Sequence, residues 1–139
     1  MTAKILLDTN LWVYLYAKNP PEKYQAVYQI VADQFETIVV STQILGELFN
    51  VLTRKNLISP SEAKTIILEM ATTFPILSID TANVLLALDL NSHFQYSYWD
   101  SLVVATALLA DCQVLYSEDM QHQQVIDGKM QLLNPFAAI

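Results

Sequence analysis

Residues 95–120 read QYSYWDSLVVATALLADCQVLYSEDM and determine which fold the chain adopts. An apolar stretch long enough for a buried helix, residues 102–110, is followed by QVLYS, which is typical of a buried strand. Asp100 stands at the head of this segment, and Glu118 and Asp119 stand at its tail. Ionised carboxylates beside buried apolar segments are costly unless something pairs with them. The segment therefore predicts a helix–strand unit whose acids need a partner.

Length and composition indicate one globular unit. The 139 residues suffice for a single domain with a real core, which we assign to residues 1–139, and are too few for two. The chain is 53% hydrophobic, yet its longest apolar run is far below the roughly 20 residues that span a bilayer. The start, MTAKILLD, has no export signal pattern, so we expect a cytoplasmic protein.

The scarce residue types exclude several classes of chemistry. Gly46 and Gly128 are the only glycines, so a glycine-rich phosphate loop and a dinucleotide fingerprint are excluded. His93 and His122 are far apart, and the single Cys112 excludes a multi-cysteine zinc site. Asp and Glu total 14 against 7 Lys and Arg, a formal charge of −7. Any chemistry is therefore expected to use oxygen ligands and a hard cation.

Strand-like and helix-like stretches alternate along the chain. Short aliphatic runs at residues 4–8, 37–41 and 113–117 predict buried strands, residues 75–79 are a weaker candidate, and residues 130–134 are a plausible edge strand. Helix starts are predicted at Pro20-Pro21, at the Ser59–Glu62 capping box and at Asp80. This alternation predicts a three-layer α/β/α sandwich around a central, mainly parallel sheet.

Four acids are harder to explain as solvated surface: Asp8, Glu47, Asp100 and Asp119. Each has a structural explanation when taken singly. Asp8 or Asn10 can cap a helix starting at Leu11, Glu47 can join a salt bridge, and Asp119 can begin a turn. The explanation is strongest for Asp100, because residues 97–100 read as a capping box.

The predicted topology brings these four acids together. In a parallel sheet with crossover helices, the strand C-termini and helix N-termini share one edge, where ligands bind. Asp8 and Asp119 follow strands, whereas Glu47 and Asp100 lie near helix starts. Carboxylates that converge on one crevice repel one another and raise their pKa values unless a cation neutralises them. We therefore expect the missing partner to be a divalent metal.

The whole pattern resembles PIN-domain nucleases, and most closely the single-domain VapC-type toxins of toxin–antitoxin pairs. The likeness rests on DTN after the first strand, an acid after the second strand, an acid heading a late apolar helix, and SED after a final strand. It covers essentially the whole chain. Gln123 departs from the pattern, which implies a glycine there.

The resemblance implies a metal-dependent endoribonuclease that uses Mg²⁺ or Mn²⁺. Asp8, Glu47, Asp100 and Asp119 would form the catalytic metal site, with Asn10 and Ser117 as supporting residues or as ordinary capping and turn residues. It also implies a small antitoxin partner, for which the aromatic segments at residues 10–17 and 23–31 offer surface. We further expect a homodimer.

The sequence is also compatible with two other functions. An aspartyl-nucleophile phosphatase also begins with a strand ending in Asp, but it usually carries a second acid where Asn10 stands. A PIN-like module that binds RNA or protein without cutting is the non-enzymatic alternative. The charge of −7 opposes nucleic-acid binding, so Arg54, Lys55, Lys18 and Lys23 would have to supply a local basic groove. DNA is not excluded as a substrate.

Overall fold

The computed structural model describes residues 3–138, in which six strands form one sheet in the order β3-β2-β1-β4-β6-β5. The strands are β1 (Lys4–Leu7), β2 (Ile38–Ser41), β3 (Ile76–Leu77), β4 (Cys112–Tyr116), β5 (Val125–Ile126) and β6 (Met130–Leu133). The helices are α1 (Thr9–Ala17), α2 (Pro21–Gln34), α3 (Thr42–Arg54), α4 (Pro60–Thr73), α5 (Thr81–Phe94) and α6 (Tyr98–Leu109). All neighbouring strands run parallel except β5, which is antiparallel to β6. The predicted α/β/α sandwich with a mainly parallel sheet is confirmed.

Strands β1 and β2 are buried on both faces, as their continuous aliphatic sequences predict, whereas β4 is only partly buried and exposes Gln113. Leu6 and Leu7 of β1 have no exposed surface, and every residue of β2 is buried. The apolar run of α6 is buried from Ser101 to Ala107. One hydrophobic cluster joins these elements. Burial of this aliphatic surface is the main force that holds the helices on the sheet.

Helices α2, α4 and α5 begin where their sequences predict. Ser59 accepts a hydrogen bond from the backbone N–H of Glu62 at the start of α4. Asp80 caps α5 in a complete capping box with Asn83. Within residues 3–138 no helix is long and apolar enough to cross a membrane.

The chain reverses its direction across the sheet between β1 and β4. From β1 it proceeds outward through β2 to β3, and then returns to β4 on the other side of β1. Right-handed crossovers place α1 to α4 on one face and α5 and α6 on the other. At such a switch point, the helices that leave the two adjacent strands diverge and open a crevice at the strand C-termini.

Two expectations about element positions were wrong. The strand at residues 130–134 is not at the edge, because β6 pairs with both β4 and β5. The two-residue β5 is the edge, and it is joined to β6 by a turn in which Asp127 and Gly128 both have positive φ. An Asp-Gly pair favours this kind of hairpin turn. The first helix begins at Thr9, two residues earlier than expected.

Candidate active site

A pocket of about 290 Å³ opens at the switch point, and all four predicted acids line it. Asp8 is the N-cap of α1, Glu47 lies in α3, Asp100 lies in the first turn of α6, and Asp119 follows β4. The other lining residues are Thr9, Asn10, Asn50, Val51, Arg54, Trp99 and Val103. We call this cavity the acidic pocket.

Asp8 is the most buried of the four acids, with 7% of its surface exposed. One carboxylate oxygen accepts the backbone N–H of Thr9 at 2.8 Å, and the other accepts the hydroxyl of Ser117 at 2.9 Å. Burial nevertheless raises the pKa of Asp8 to about 6, and the charges of Asp100 and Asp119 act in the same direction. The two hydrogen bonds only partly offset these effects. The metal-free fold therefore holds Asp8 in an environment unfavourable to its ionised form.

Ser117 and Asn10 tie the ends of β1 and β4 together. The buried hydroxyl of Ser117 donates to Asp8 and accepts the backbone N–H of Asp119 at 3.1 Å. The side-chain amide of Asn10 donates to Asp119 at 3.4 Å. Asn10 lies inside α1, so it does not cap that helix. Both side chains contact the acids of the pocket directly.

Thr9 is a site residue that the sequence analysis did not single out. Its hydroxyl donates to the Glu47 carboxylate at 2.8 Å, which links α1 to α3. Thr9 is buried, with 7% of its surface exposed. Its position inside DTN, next to Asp8, was the available signal. The bond fixes the direction in which Glu47 points into the acidic pocket.

Asp100 occupies the third position of the predicted capping box, but the box is only half formed. The Ser97 hydroxyl accepts the backbone N–H of Asp100 at 3.1 Å, as a helix N-cap does. In the described part of the chain the Asp100 carboxylate does not accept the backbone N–H of Ser97 in return. Burial and then the Asp119 charge raise the pKa of Asp100, and Glu47 adds to this effect while the Ser97 side chain lowers it. Capping therefore accounts for Ser97 and leaves the Asp100 carboxylate free to face the pocket.

Glu118 lies beside the last acid and does not line the acidic pocket. It forms an ion pair with Lys23 at 2.7 Å and accepts the hydroxyl of Tyr14. Burial raises the pKa of Asp119, Glu118 raises it further, and Lys23 lowers it. This contact removes Lys23 from the predicted basic groove. Of the four basic residues expected there, only Arg54 lines the acidic pocket.

The donor chemistry of the pocket fits a hydrated hard cation. Among residues 3–138 no three His, Cys, Asp or Glu side chains come close enough to form a ready-made metal cage. Mg²⁺ does not require such a cage, because it keeps several waters and binds through one or two carboxylates plus substrate phosphate. Burial is the main cause of the raised pKa values of Asp8, Asp100 and Asp119, and nearby carboxylate charges add to it; a bound cation would offset both effects.

Comparison with known families agrees with this geometry. A family model described as the PIN domain matches residues 5–127. The chain belongs to the PIN domain family. A comparison with curated protein sequences finds no match.

Several solved PIN-domain structures share the fold. A toxin–antitoxin complex from Klebsiella pneumoniae aligns with a TM-score of 0.72 at 17% identity, over 97% of this chain and 98% of that one. VapC20 of Mycobacterium tuberculosis, a toxin that cleaves the sarcin-ricin loop, aligns at 0.66 and 18% identity, over 81% and 87% of the two chains. DNA-bound VapBC of Salmonella typhimurium aligns at 0.70 and 15% identity, over 94% and 97%. At these identities the likeness establishes the fold.

Proposed function

We propose that this PIN domain is a metal-dependent endoribonuclease that hydrolyses RNA phosphodiester bonds. The observation that carries the proposal is the convergence of four carboxylates from four separate elements on one pocket, with three of their pKa values raised. Titratable groups whose pKa values are shifted by burial and nearby charges, and which lie in a cleft, are typical of functional sites.

Each acid has a role in the proposed reaction. Asp8, Asp100 and Asp119 hold the cation directly or through its waters. Glu47 orients the attacking water or binds a second cation. When bound, Mg²⁺ or Mn²⁺ supplies a water of lowered pKa and positive charge near the phosphate. Hydrolysis then joins the water oxygen to phosphorus and breaks the bond from phosphorus to the leaving ribose oxygen.

The polar neighbours act by positioning the acids. Ser117 holds Asp8 on the side opposite the Thr9 backbone N–H, and Asn10 restrains Asp119. Thr9 fixes Glu47. Ligand groups held in this way lose little conformational freedom when the cation binds, which strengthens binding.

The site fits a phosphatase or a non-catalytic binding module less well than a nuclease. A phosphatase mechanism needs Asp8 as a nucleophile, yet both oxygens of its carboxylate accept hydrogen bonds. In addition, the residue two positions after Asp8 is Asn10, where such phosphatases usually carry a second acid. A binding module without catalysis gains nothing evident from carboxylates that repel one another.

The proposed partner is a small antitoxin, as in the toxin–antitoxin complexes that share the fold. Of the aromatic residues considered for this contact, Trp12 is buried in the core, whereas Tyr28 is 52% exposed. Other large apolar residues are also exposed on the helices, among them Phe49, Leu68, Leu85 and Leu88. Co-purification from the native source tests this role, and a parent protein that never carries a small second chain would count against it. Homodimer formation is proposed as well and is tested by the solution mass.

The nuclease proposal is tested by incubating purified, antitoxin-free protein with end-labelled structured RNA. Mn²⁺ and Mg²⁺ are compared with EDTA, beside an Asp8→Asn variant. We expect cleavage with metal, none with EDTA, and a loss of at least about a hundredfold in the variant. Cleavage that persists in EDTA, or a folded variant as fast as the parent, would overturn the proposal. A DNA strand of the same sequence in the same assay tests the choice of RNA.

A further inference from the structure

Trp99 is the most exposed large apolar residue of the described chain and lies on the wall of the acidic pocket. It is 61% exposed and precedes Asp100 directly. An exposed tryptophan forgoes the stabilisation that the protein would gain by burying its apolar surface. Its neighbour Val103 also lines the pocket, so the aromatic surface adjoins the acids rather than a separate patch.

The structure holds Trp99 in place from two sides. The side-chain amide of Gln43, in the first turn of α3, donates to the Trp99 carbonyl at 3.2 Å. The ring of the half-buried Tyr98 meets the Trp99 ring edge-on, with centroids 5.0 Å apart and planes at 74°. Edge-to-face contact engages one part of an aromatic pair and leaves ring surface available for stacking. Trp99 is therefore held by contacts with Gln43 and Tyr98 while most of its ring stays exposed.

Arg54 lies at the other end of the same wall. Glu47, Asn50, Val51 and Arg54 all line the acidic pocket and recur at the spacing of one helix face. At about 1.5 Å per residue, Gln43 lies ~6 Å before Glu47 along α3, and Arg54 lies ~10 Å beyond it. Arg54 is exposed and forms no ion pair among residues 3–138. The wall thus runs from an aromatic end, past the acids, to a cationic end.

We infer that the acidic pocket is a single-stranded RNA groove in which Trp99 stacks on a base beside the scissile phosphate and Arg54 contacts a backbone phosphate on the other side. This inference deepens the proposed nuclease function and rests on it for the identity of the ligand. Aromatic stacking accepts any base, and a cation on the backbone offsets the repulsion expected from a chain of charge −7. A wall lined by acids alone would offer neither a stacking surface for a base nor a cation for a phosphate. An antitoxin contact at Trp99 is the competing occupant, and the test separates the two.

Tryptophan fluorescence gives a direct test that does not depend on cleavage. The chain has two tryptophans, and Trp12 is 1% exposed, so Trp99 is the one that a ligand in solution reaches. Purified parent protein is mixed with a short single-stranded RNA in a stopped-flow instrument, in Mg²⁺ and in EDTA, and emission is read before cleavage proceeds. We expect saturable quenching in the parent and none in Trp99→Phe.

Affinity and kinetics of matched variants complete the test. Trp99→Ala should weaken RNA binding by about 5- to 100-fold and raise KM more than it lowers kcat, while Trp99→Phe should retain most of the affinity. Arg54→Ala should reduce the slope of log affinity against log salt by about one. Tyr28→Ala removes another exposed aromatic, 52% exposed against 61% for Trp99, that does not line the pocket, and it should bind RNA like the parent.

The outcomes distinguish failure of this inference from failure of the nuclease proposal. Quenching and a Trp99-dependent affinity in a protein that cuts no RNA would support the groove and overturn the catalytic proposal. Metal-dependent cleavage by a Trp99→Ala variant with unchanged KM would overturn the groove and leave the nuclease intact. RNA affinity in Trp99→Ala equal to that of the parent would overturn the inference and would favour a protein partner as the ligand of Trp99.

Discussion

Replacing Asp8 with Asn should make the metal-free protein more stable at neutral pH. The pKa of Asp8 is about 6 in the fold, whereas an aspartate in an unfolded chain titrates near 3.8. The native state therefore holds this proton more tightly than the unfolded chain does. The free energy of unfolding is highest below the unfolded pKa and falls as the pH rises through the folded pKa. Asn removes the charge and with it this loss of stability.

The size of the effect follows from the difference of about two pKa units. At 1.36 kcal/mol per unit, ionisation of Asp8 lowers the free energy of unfolding by about 3 kcal/mol at pH 8 relative to low pH. About 1.4 kcal/mol of this falls between pH 5 and pH 8, because the unfolded aspartate is already ionised at pH 5. The amide oxygen of Asn can still accept the Thr9 N–H. Rearrangement at Ser117 costs about 1 kcal/mol, independently of pH.

The assay is urea denaturation of the parent and Asp8→Asn in EDTA at pH 5, 6, 7 and 8, followed by circular dichroism. The quantity of interest is the stability difference between the two proteins at each pH, since other titrating groups cancel from it. We expect this difference to move by about 1.4 kcal/mol in favour of the variant between pH 5 and pH 8. Lower pH is avoided because the acidic chain approaches zero net charge there, which promotes association and precipitation.

A pH-independent difference would contradict the raised pKa of Asp8, since it would mean that Asp8 titrates alike in the folded and unfolded chains. A variant whose stability falls relative to the parent as the pH rises would also contradict it, because that result requires the pKa of Asp8 to be lowered in the fold. Addition of Mn²⁺ at pH 8 should stabilise the parent and have less effect on the variant, because binding to the native state raises its stability.

Three further outcomes follow from the surroundings of individual side chains. Thr9→Val keeps the side-chain shape but removes the hydroxyl that donates to Glu47. We expect kcat/KM for RNA to fall by about tenfold with an unchanged circular dichroism spectrum. An unaffected rate would show that Glu47 does not need this hydrogen bond. Lys23→Ala removes a charge that lowers the pKa of Asp119, so the acid limb of the pH–rate profile should move to higher pH, and a shift to lower pH would contradict the assignment. Burial raises the pKa of Cys112 to about 11, so iodoacetamide should leave it unmodified in the folded protein at pH 8 and alkylate it in urea; rapid native alkylation would contradict its burial.

Most of the fold could be predicted from the sequence because the strands are continuous aliphatic runs and the helix starts carry their own signals. Ser59 and Asp80 cap helices as their local sequences predict. The position of β6 was missed because strand order depends on pairing with a distant partner. The Asp-Gly pair at residues 127–128 favours the hairpin turn that places β5 outside β6, and this local signal is present in the sequence. Gln123 forms its turn with a φ of 70°, without the expected glycine.

The convergence of the four acids could be predicted because topology alone brings strand C-termini and helix N-termini to one edge. Side-chain partners could not, since they depend on distances between residues far apart in the chain. Glu118 pairs with Lys23 across 95 positions, and Thr9 reaches Glu47 across 38. The sequence likewise does not distinguish an exposed Trp99 from a buried Trp12. These contacts required the folded structure.

The most direct test of the central claim compares two aspartates that both stand at helix starts. Asp100→Asn changes an acid of the pocket, and Asp80→Asn changes the cap of α5, which does not line the pocket. Both proteins are assayed for Mn²⁺-dependent RNA cleavage beside the parent, after equal folding is verified by circular dichroism. We expect Asp100→Asn to lose cleavage and Asp80→Asn to keep it. Equal cleavage by the two variants would show that the Asp100 carboxylate only supports its helix, and would contradict the proposed metal site.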